Sequence, residues 1–459
     1  MVEGRTHRPV VQSEKCHTCD ICIRGCPAEL IPEYRKEEKS VRGTLYRGKA
    51  GKSGLEESLS LPPCQKACPI RQDARGYVAL IAKEKFREAL ELIREVNPLP
   101  AVCGFICHHP CEEACLREGV DDPVPMRLLK RFVAEYEREG IRRERREKKK
   151  RQKVLVIGSG PAGLAAANDL SLLGYGVTIH EALPVLGGML SVGIPAFRLP
   201  RDILNMEIEG IRQLGVEMKT NHVFSLDGNG TSFRELGFHA VFLSTGAHRS
   251  IKLRIPGEGF RGVLPGVEFL RDINLGKKIE MGNKMAVIGG GNVALDVARS
   301  AFRLGAKKVE IYYRRSRNEM PAIPEEVEEA LQEGVKIHFL VSPLKIIGKG
   351  GKVAEMECAR MKLGEPDRSG RRKPIPIEGS NFKVQADTII AAIGQRVDRK
   401  ALRGLDMNQD GTARIHPGTG ETSLKGVFAG GDVVRGPGWV IDAIADGKRG
   451  AESIHRYLS

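Results

Sequence analysis

The sequence predicts an α/β protein in which two dinucleotide-binding domains follow a helical, cysteine-rich domain. Three observations predict this class. Segments 154–181 and 285–313 each run from an apolar strand through a glycine-rich turn into a helix and a second strand. Ten of the eleven cysteines lie before residue 116. Glycine-rich strand–helix turns are typical of dinucleotide sites and clustered cysteines of metal-ligating domains, so the two patterns indicate separate domains.

The size and composition of the chain are those of a multidomain globular protein. Its 459 residues allow about three domains. Hydrophobic residues make up 41% of the chain, and 53 glycines are present. Residues 1–15 are polar and lack the apolar core of a signal peptide, and no stretch resembles a membrane span. A cytoplasmic protein is therefore expected.

The first four cysteines follow the spacing of a bacterial ferredoxin. Cys16, Cys19, Cys22 and Cys26 form the run Cys-x-x-Cys-x-x-Cys-x-x-x-Cys-Pro, whose fourth thiolate usually serves a second cluster. Zinc is the alternative, but zinc sites ordinarily show two separated Cys-x-x-Cys pairs or added histidines. Residues 1–60 are predicted to be this ferredoxin-like segment and a linker rich in Gly, Ser and Lys.

A second cysteine set predicts a helical [4Fe-4S] domain over residues 61–140, with the ligand candidates Cys64, Cys68, Cys103, Cys107, Cys111 and Cys115. One amphipathic helix is predicted between them, from about 76 to 96. A spacing of four also suits a buried helix stripe, but His108-His109-Pro110 interrupts any helix there. Cysteines in turns around a helix favour a cluster. A further helix begins near Pro125, and a charge run over 138–153 ends the domain.

The first dinucleotide turn opens the FAD-binding domain, predicted over 150–280. Gly158 permits a tight turn, Gly160 lets backbone amides approach a pyrophosphate, and Gly163 packs the helix on the strand. Glu181 ends the second strand, where a carboxylate accepts from ribose hydroxyls and so favours FAD or NAD. With the loop that follows, the predicted contacts are Gly158, Gly160, Pro161, Ala162, Gly163, Glu181, Gly188 and Met189.

The second turn opens the NAD(P)H-binding domain, predicted over 281–390. Its strand ends in two arginines where the first unit has Glu181. Guanidinium groups suit a 2'-phosphate, so the sequence favours NADP over NAD, with NAD possible and an exposed basic turn as the alternative. The predicted contacts are Gly289, Gly290, Gly291, Asn292, Val293, Arg314 and Arg315.

Two dinucleotide sites of opposite charge preference indicate a tightly held FAD and an exchanging nicotinamide. Hydride transfer between them needs no acid–base residue, so no catalytic side chain is predicted. A return segment of the FAD-binding domain, 391–459, contains Gly431 and Asp432 before a helix, which could place a carboxylate on the ribityl chain. Residues 116–459 contain only Cys358, so a dithiol mechanism is excluded.

From about Cys64 onward the chain resembles the small (β) subunit of glutamate synthase and its relatives, which are FAD- and iron–sulphur-containing NAD(P)H oxidoreductases. The matching segments include NPLPAVCG, GSGPAG, GIPAFRLP, GGGNVALD, YRRSRNEMPA and VFAGGD. The resemblance implies two Rossmann-like domains of the two-domain flavoprotein type, preceded by a helical domain with two [4Fe-4S] clusters, or three with the ferredoxin run. It also implies that Asp432 and Val440 contact FAD, and that Arg314 and Arg315 bind the NADP phosphate.

The chain departs from this family in its cluster ligands. The family usually has a Cys-x-x-Cys just before the equivalent of Cys64, where residues 56–63 contain no cysteine. It usually has a Glu or Gln ligand at the position of Lys130, and an ammonium group cannot ligate iron. Cys103 and the ferredoxin run could substitute. Because ten thiols exceed the eight that two clusters need, the ligand pairing stays open.

The predicted function is electron transfer between NADPH, FAD and [4Fe-4S] clusters, to or from a partner in a hetero-oligomer. The partner would be another oxidoreductase subunit or an acidic carrier such as ferredoxin. The charge run over 138–153, which accounts for much of the net charge of +15, is expected to be a solvated helix end and linker, with a docking surface for such a partner as the alternative. With 8 Tyr, 14 Phe and 1 Trp, and no nucleic-acid motif, nucleic acid is not expected. The alternatives are a glutamate synthase small subunit proper, a sulphide or polysulphide oxidoreductase, and a docking or relay subunit of a formate dehydrogenase or hydrogenase complex.

Overall fold

The computed structural model describes residues 61–136, 150–224, 232–367 and 369–459. The chain forms two compact units, and the division between them falls after Ile141. The ferredoxin run at Cys16–Cys26, the predicted linker and most of the charge run lie outside the described residues. Within the described residues, no helix combines the length and the apolar character that crossing a membrane requires.

The described part of the first unit is helical. Its α-helices are α1 (Pro63–Ala67), α2 (Ala74–Ile81), α3 (Phe86–Arg94), α4 (Pro100–Ile106), α5 (Pro110–Glu113) and α6 (Met126–Tyr136). The prediction that His108-His109-Pro110 interrupts a helix is confirmed, since α4 ends before it and α5 begins at Pro110.

The prediction of one helix over 76–96 is wrong, because a turn separates α2 from α3. Glu84 adopts the left-handed conformation, with φ of 56°. The amide of Lys85 donates to the carbonyl of Leu80 at 2.9 Å, which closes the end of α2. Residues 82–85 are all exposed, so the buried stripe of a continuous helix has no residue there.

The second unit alternates strands and helices. Its strands are β1 (Lys153–Ile157), β2 (Gly176–His180), β3 (Glu217–Lys219), β4 (Ala240–Leu243), β5 (Arg249–Ser250), β6 (Val263–Pro265), β7 (Lys284–Ile288), β8 (Lys308–Tyr313), β9 (Lys336–Phe339), β10 (Val341–Lys349), β11 (Lys352–Pro366), β12 (Arg372–Pro376), β13 (Phe382–Gln385), β14 (Thr388–Ala391), β15 (Gln395–Arg396) and β16 (Val427–Ala429). Its α-helices are α7 (Pro161–Leu172), α8 (Met189–Val192), α9 (Arg201–Gln213), α10 (Ser232–Glu235), α11 (Gly266–Asn274), α12 (Asn292–Arg303), α13 (Pro324–Gln332), α14 (Asp432–Arg435) and α15 (Val440–Leu458).

Two parallel sheets organise this unit. The first has the order β16-β4-β1-β2-β3 and the second the order β6-β14-β7-β8-β9. In the first sheet, β2 and β3 lie on one side of β1, and β4 and β16 lie on its other side. In the second sheet, β8 and β9 lie on one side of β7, and β14 and β6 lie on its other side. The turns after β1 and β7 therefore lie where the strand order reverses, which is where parallel α/β sheets bind ligands. The predicted class, α/β with two dinucleotide-binding domains, is confirmed.

The two halves of the second unit are joined through a short antiparallel ladder. The chain leaves the first sheet at β5 and returns at β15, where Gln395 pairs with Ser250. Because the crossing occurs this early, β6 already belongs to the second sheet, although it precedes residue 281. Antiparallel strands β10 to β13 follow β9, and a hydrogen bond from the amide of Asp367 to the carbonyl of Arg371 closes the connection between β11 and β12.

Candidate cofactor sites

The turn after β1 has the geometry of a phosphate cradle. Gly158 has φ of 97°, and a Cβ there would lie 2.5 Å from the carbonyl oxygen of Ser244. A Cβ on Gly163 would lie 2.0 Å from the carbonyl oxygen of Gly158. A Cβ on Gly160 would meet nothing within 4 Å. Two glycines are thus required by packing within the protein, while Gly160 faces open space that fits a pyrophosphate.

Glu181 is held beside this turn. Its side chain is buried, and one carboxylate oxygen accepts from the amide of Ser159 at 2.9 Å and from its hydroxyl at 2.6 Å. The other oxygen accepts from the amide of Leu183 at 2.9 Å. A carboxylate accepts about four hydrogen bonds, so acceptor capacity remains for a ribose hydroxyl. Ser159 was not predicted, because its position in the glycine motif admits any residue.

The return segment brings Asp432 to the same turn. Gly431 has φ of 78°, and a Cβ there would lie 3.0 Å from Cβ of Ala162 in α7. Asp432 is the first residue of α14 and accepts from the amide of Gly438 at 3.2 Å. Burial raises the pKa of Asp432 to about 7. Val440 begins α15, so the predicted FAD contacts of this segment stand at the first turns of two helices.

The turn after β7 repeats the pattern of the first. A Cβ on Gly289 would lie 2.2 Å from the carbonyl oxygen of Ala392, and one on Gly290 would lie 2.4 Å from the ring of Tyr313. A Cβ on Gly291 would meet only the ring of Pro321, at 3.9 Å. Gly291 thus corresponds to Gly160 as the glycine that faces open space.

The structure separates the two arginines predicted to bind the 2'-phosphate. Arg314 is exposed at the end of β8. Arg315 is buried, with 3% of its surface exposed. The guanidinium of Arg315 contacts the carboxylate of Asp367 at 2.5 Å and donates to the carbonyl of Arg372 at 2.8 Å. Arg314 is therefore accessible to a ligand, whereas Arg315 is engaged within the protein.

Buried ion pairs join the two halves of this unit. Arg198, in the GIPAFRLP segment, contacts Asp296 of α12 at 2.8 Å and Glu326 of α13 at 2.6 Å. Arg299 also contacts Glu326, at 3.1 Å. Burial raises the pKa of Asp296 to about 6, against the lowering effect of Arg198. These contacts hold the GIPAFRLP segment against the helix that follows the second glycine turn.

Six cysteines of the first unit belong to its described part, namely Cys64, Cys68, Cys103, Cys107, Cys111 and Cys115. None of these six is in a disulfide, and all are buried except the half-buried Cys111. Burial raises the pKa of Cys111 to about 12, while Lys130 acts to lower it. Helices α4 and α6 pack closely here, since a Cβ on Gly104 would lie 2.7 Å from Cα of Arg131. Buried soft thiols in one small domain are the donors that iron–sulphur clusters use.

Lys130 lies among these thiols, with 5% of its surface exposed. Burial lowers its pKa, but negative charge on Cys103, Cys107, Cys111 and Cys68 raises it by more. An ammonium group at this place fits a counter-ion to a cluster, whose thiolates carry negative charge, and does not fit a ligand. Among the described residues, no three His, Cys, Asp or Glu side chains are grouped to hold a single metal ion. The ligands of a [4Fe-4S] cluster bind different irons and need not form such a group.

Comparison with protein families identifies the second unit. A model described as pyridine nucleotide-disulphide oxidoreductase matches residues 152–447. The chain belongs to the pyridine nucleotide-disulphide oxidoreductase family. A second model, described as dihydropyrimidine dehydrogenase domain II with a 4Fe-4S cluster, matches residues 59–141. The predictions of an oxidoreductase, of a flavin and nicotinamide fold, and of an iron–sulphur domain are confirmed.

Relatives within this oxidoreductase family include subunits of larger enzymes. The chain is 46% identical over 423 residues to the NADP(+)-dependent formate dehydrogenase subunit beta of Moorella thermoacetica, covering 86% of this chain and 60% of that one. It is 42% identical over 429 residues to the NADPH-Fe(3+) oxidoreductase subunit beta of Geobacter sulfurreducens, covering 86% and 63%. The chain therefore spans less than two thirds of the length of these two relatives.

The resemblance to glutamate synthase is also confirmed. The chain is 33% identical over 423 residues to the small chain of glutamate synthase [NADPH] from Escherichia coli, covering 87% of this chain and 89% of that one. Among solved structures, FprA from Mycobacterium tuberculosis in complex with NADPH matches with a TM-score of 0.58 and 20% identity, over 67% of this chain and 85% of that one. That likeness shows the fold alone.

Proposed function

We propose that the chain is the NADPH-dependent electron-transfer subunit of a hetero-oligomeric oxidoreductase. The observation that carries the proposal is the pair of open glycine cradles in one unit, with buried Glu181 beside the first and exposed Arg314 beside the second. Bound FAD would exchange a hydride with NADPH and single electrons with an iron–sulphur cluster. The [4Fe-4S] domain match and the buried thiols support the second part of the relay.

In this proposal the residues of the chain bind and orient, and none transfers a proton. Backbone amides at Gly160 and Gly291 would receive the two pyrophosphates. Glu181 would select an adenosine without a 2'-phosphate, and Arg314 one that carries it. The ion pairs of Arg198 with Asp296 and Glu326 would fix the position of the flavin half of the second unit relative to its nicotinamide half. A dithiol mechanism, which the family name suggests, is not supported, because Cys358 is the only cysteine after residue 116.

The partner is proposed to be another oxidoreductase subunit or an acidic carrier such as ferredoxin. The names of the Moorella and Geobacter relatives mark them as beta subunits, and the glutamate synthase relative is a small chain.

We also propose a cytoplasmic location. The six described cysteines of the first unit would be cluster ligands, and such thiols stay reduced in the cytoplasm.

The proposal is tested on the full chain purified anaerobically and supplied with FAD. We expect NADPH to bleach the flavin in stopped-flow spectroscopy and to support reduction of an artificial dye. The variant Cys68→Ser should lower the iron content while flavin bleaching persists, because a cluster ligand is not needed for hydride transfer. A matched control is Cys358→Ser, which should change neither measurement. No bleaching by NADPH in flavin-loaded protein would contradict the oxidoreductase role, and zinc in place of iron would contradict the relay.

A further inference from the structure

Arg315 anchors a distant turn at the end of β8. Its guanidinium contacts Asp367 at 2.5 Å and the carbonyl of Arg372 at 2.8 Å. The amide of Asp367 donates to the carbonyl of Arg371 at 2.8 Å, so Asp367 and Arg372 flank the turn between β11 and β12. Because Arg315 is buried in these contacts, it acts as a positioning residue that holds this turn against the second dinucleotide domain.

The contacts of Arg315 bring the chain at Arg371 to the end of β8, because the carbonyl of the adjacent Arg372 accepts from Arg315 at 2.8 Å and the carbonyl of Arg371 accepts from the amide of Asp367 at 2.8 Å. Although Arg314 is exposed, partial desolvation lowers the pKa of its guanidinium, and the positive charges of Arg315 and Arg371 lower it further, whereas Asp367 acts to raise it. Arg371 donates to the hydroxyl of Ser369 at 3.1 Å, which adds no negative charge. Over the described ranges, neither Arg314 nor Arg371 pairs with a carboxylate.

Other arginines of the same region do have acidic partners. Arg317 pairs with Glu328, and Arg372 contacts Glu319 at 2.5 Å. Two neighbouring guanidinium groups that form no ion pair of their own repel each other, and an anion bound between them lowers this electrostatic free energy. The unpaired charges are therefore concentrated at the strand end that discriminates between the two nicotinamide cofactors.

We propose that Arg371 is a second ligand of the NADPH 2'-phosphate, together with Arg314, and that Arg315 sets its position through Asp367. The inference rests on the proposed function and deepens it by naming the residues that distinguish NADPH from NADH. Two guanidinium forks from different elements match the oxygens of a phosphate. The turn lies more than fifty residues beyond β8 in the sequence, so the glycine motif gives no indication of it.

The test is calorimetric titration of the full chain with adenosine 2',5'-bisphosphate and, separately, with ADP, which lacks the 2'-phosphate. Loss of one charge-assisted contact weakens binding roughly tenfold to a hundredfold. We expect Arg371→Gln and Arg314→Gln each to weaken the bisphosphate by this factor and to leave ADP unchanged. Arg317→Gln is the matched control, because its charge is paired with Glu328, and both affinities should stay at the wild-type value.

A double-mutant cycle tests whether Arg315 positions Arg371 or contacts the phosphate itself. Arg315→Lys keeps the charge but loses the fork that holds Asp367 and the Arg372 carbonyl. As a positioning residue it should weaken the bisphosphate on its own and add little in the Arg371→Gln background. Full additivity would show direct phosphate contact and overturn the positioning role.

The outcomes distinguish this inference from the proposed function. An unchanged preference for the bisphosphate in Arg371→Gln, with a lowered preference in Arg314→Gln, overturns the role of Arg371 and leaves the NADPH assignment standing. An unchanged preference in both variants overturns the NADPH assignment as well. Equal weakening by Arg317→Gln would show a general charge effect and contradict the assignment of Arg371.

Discussion

The two glycines Gly160 and Gly163 should respond to alanine in opposite ways. Gly160 has φ of −66° and ψ of 178°, which alanine adopts, and its added Cβ meets nothing within 4 Å. Gly160→Ala should therefore leave the flavin-free protein as stable as wild type, or more stable by up to about 1 kcal/mol through the unfolded chain. The same Cβ would occupy the space of the pyrophosphate. Loss of one amide–phosphate hydrogen bond should weaken FAD binding roughly tenfold to a hundredfold.

Gly163→Ala should instead destabilise the protein. Its Cβ would lie 2.0 Å from the carbonyl oxygen of Gly158, so α7 must move away from β1. Such overpacking costs about 1–3 kcal/mol. Calorimetric unfolding of flavin-free protein and fluorescence titration with FAD measure the two effects separately. The reasoning is refuted if Gly160→Ala lowers the stability as much as Gly163→Ala does, or if it binds FAD with wild-type affinity.

Two further predictions concern buried charges. Arg198→Gln removes a buried partner of Asp296 and Glu326 and should lower the free energy of unfolding by about 3–5 kcal/mol in a denaturant titration. The control Arg303→Gln, at an exposed ion pair, should lower it by less than about 1 kcal/mol. Equal losses of stability in the two variants would contradict the importance of burial. Because burial raises the pKa of Asp432 from 3.8 to about 7, its contribution to the stability of the flavin-free protein is present at low pH and is lost as the pH rises through about 7. Asp432→Asn should flatten this dependence in thermal melts, and an unchanged pH profile would contradict it.

The sequence predicts best those features that local backbone geometry determines. The two glycine turns lie where the pattern places them, because a tight turn, a close packing and an open cradle each need glycine at one position. The prediction of a single helix over 76–96 is wrong because a short run of charged residues can either continue a helix or end it. Here the left-handed conformation of Glu84 ends it.

The sequence predicts poorly those features that depend on contacts between distant segments. The adjacent arginines 314 and 315 have the same chemistry, yet one is exposed and the other is buried against Asp367. The ion pair of Arg198 with Asp296 likewise joins segments that no local motif relates. Such pairings form only when the domains assemble, so no spacing rule anticipates them.

The pairing of β5 with β15 has a consequence for how such enzymes diversify. Because Ser250 lies beside Gln395, the segment between them begins and ends at one place on the surrounding domain. A segment with adjoining ends can be exchanged as a cassette without displacing the strands on either side. Under the proposed function, exchange of this segment would change the nicotinamide site and leave the flavin site in place, provided that the new segment supplies acidic partners for Arg198.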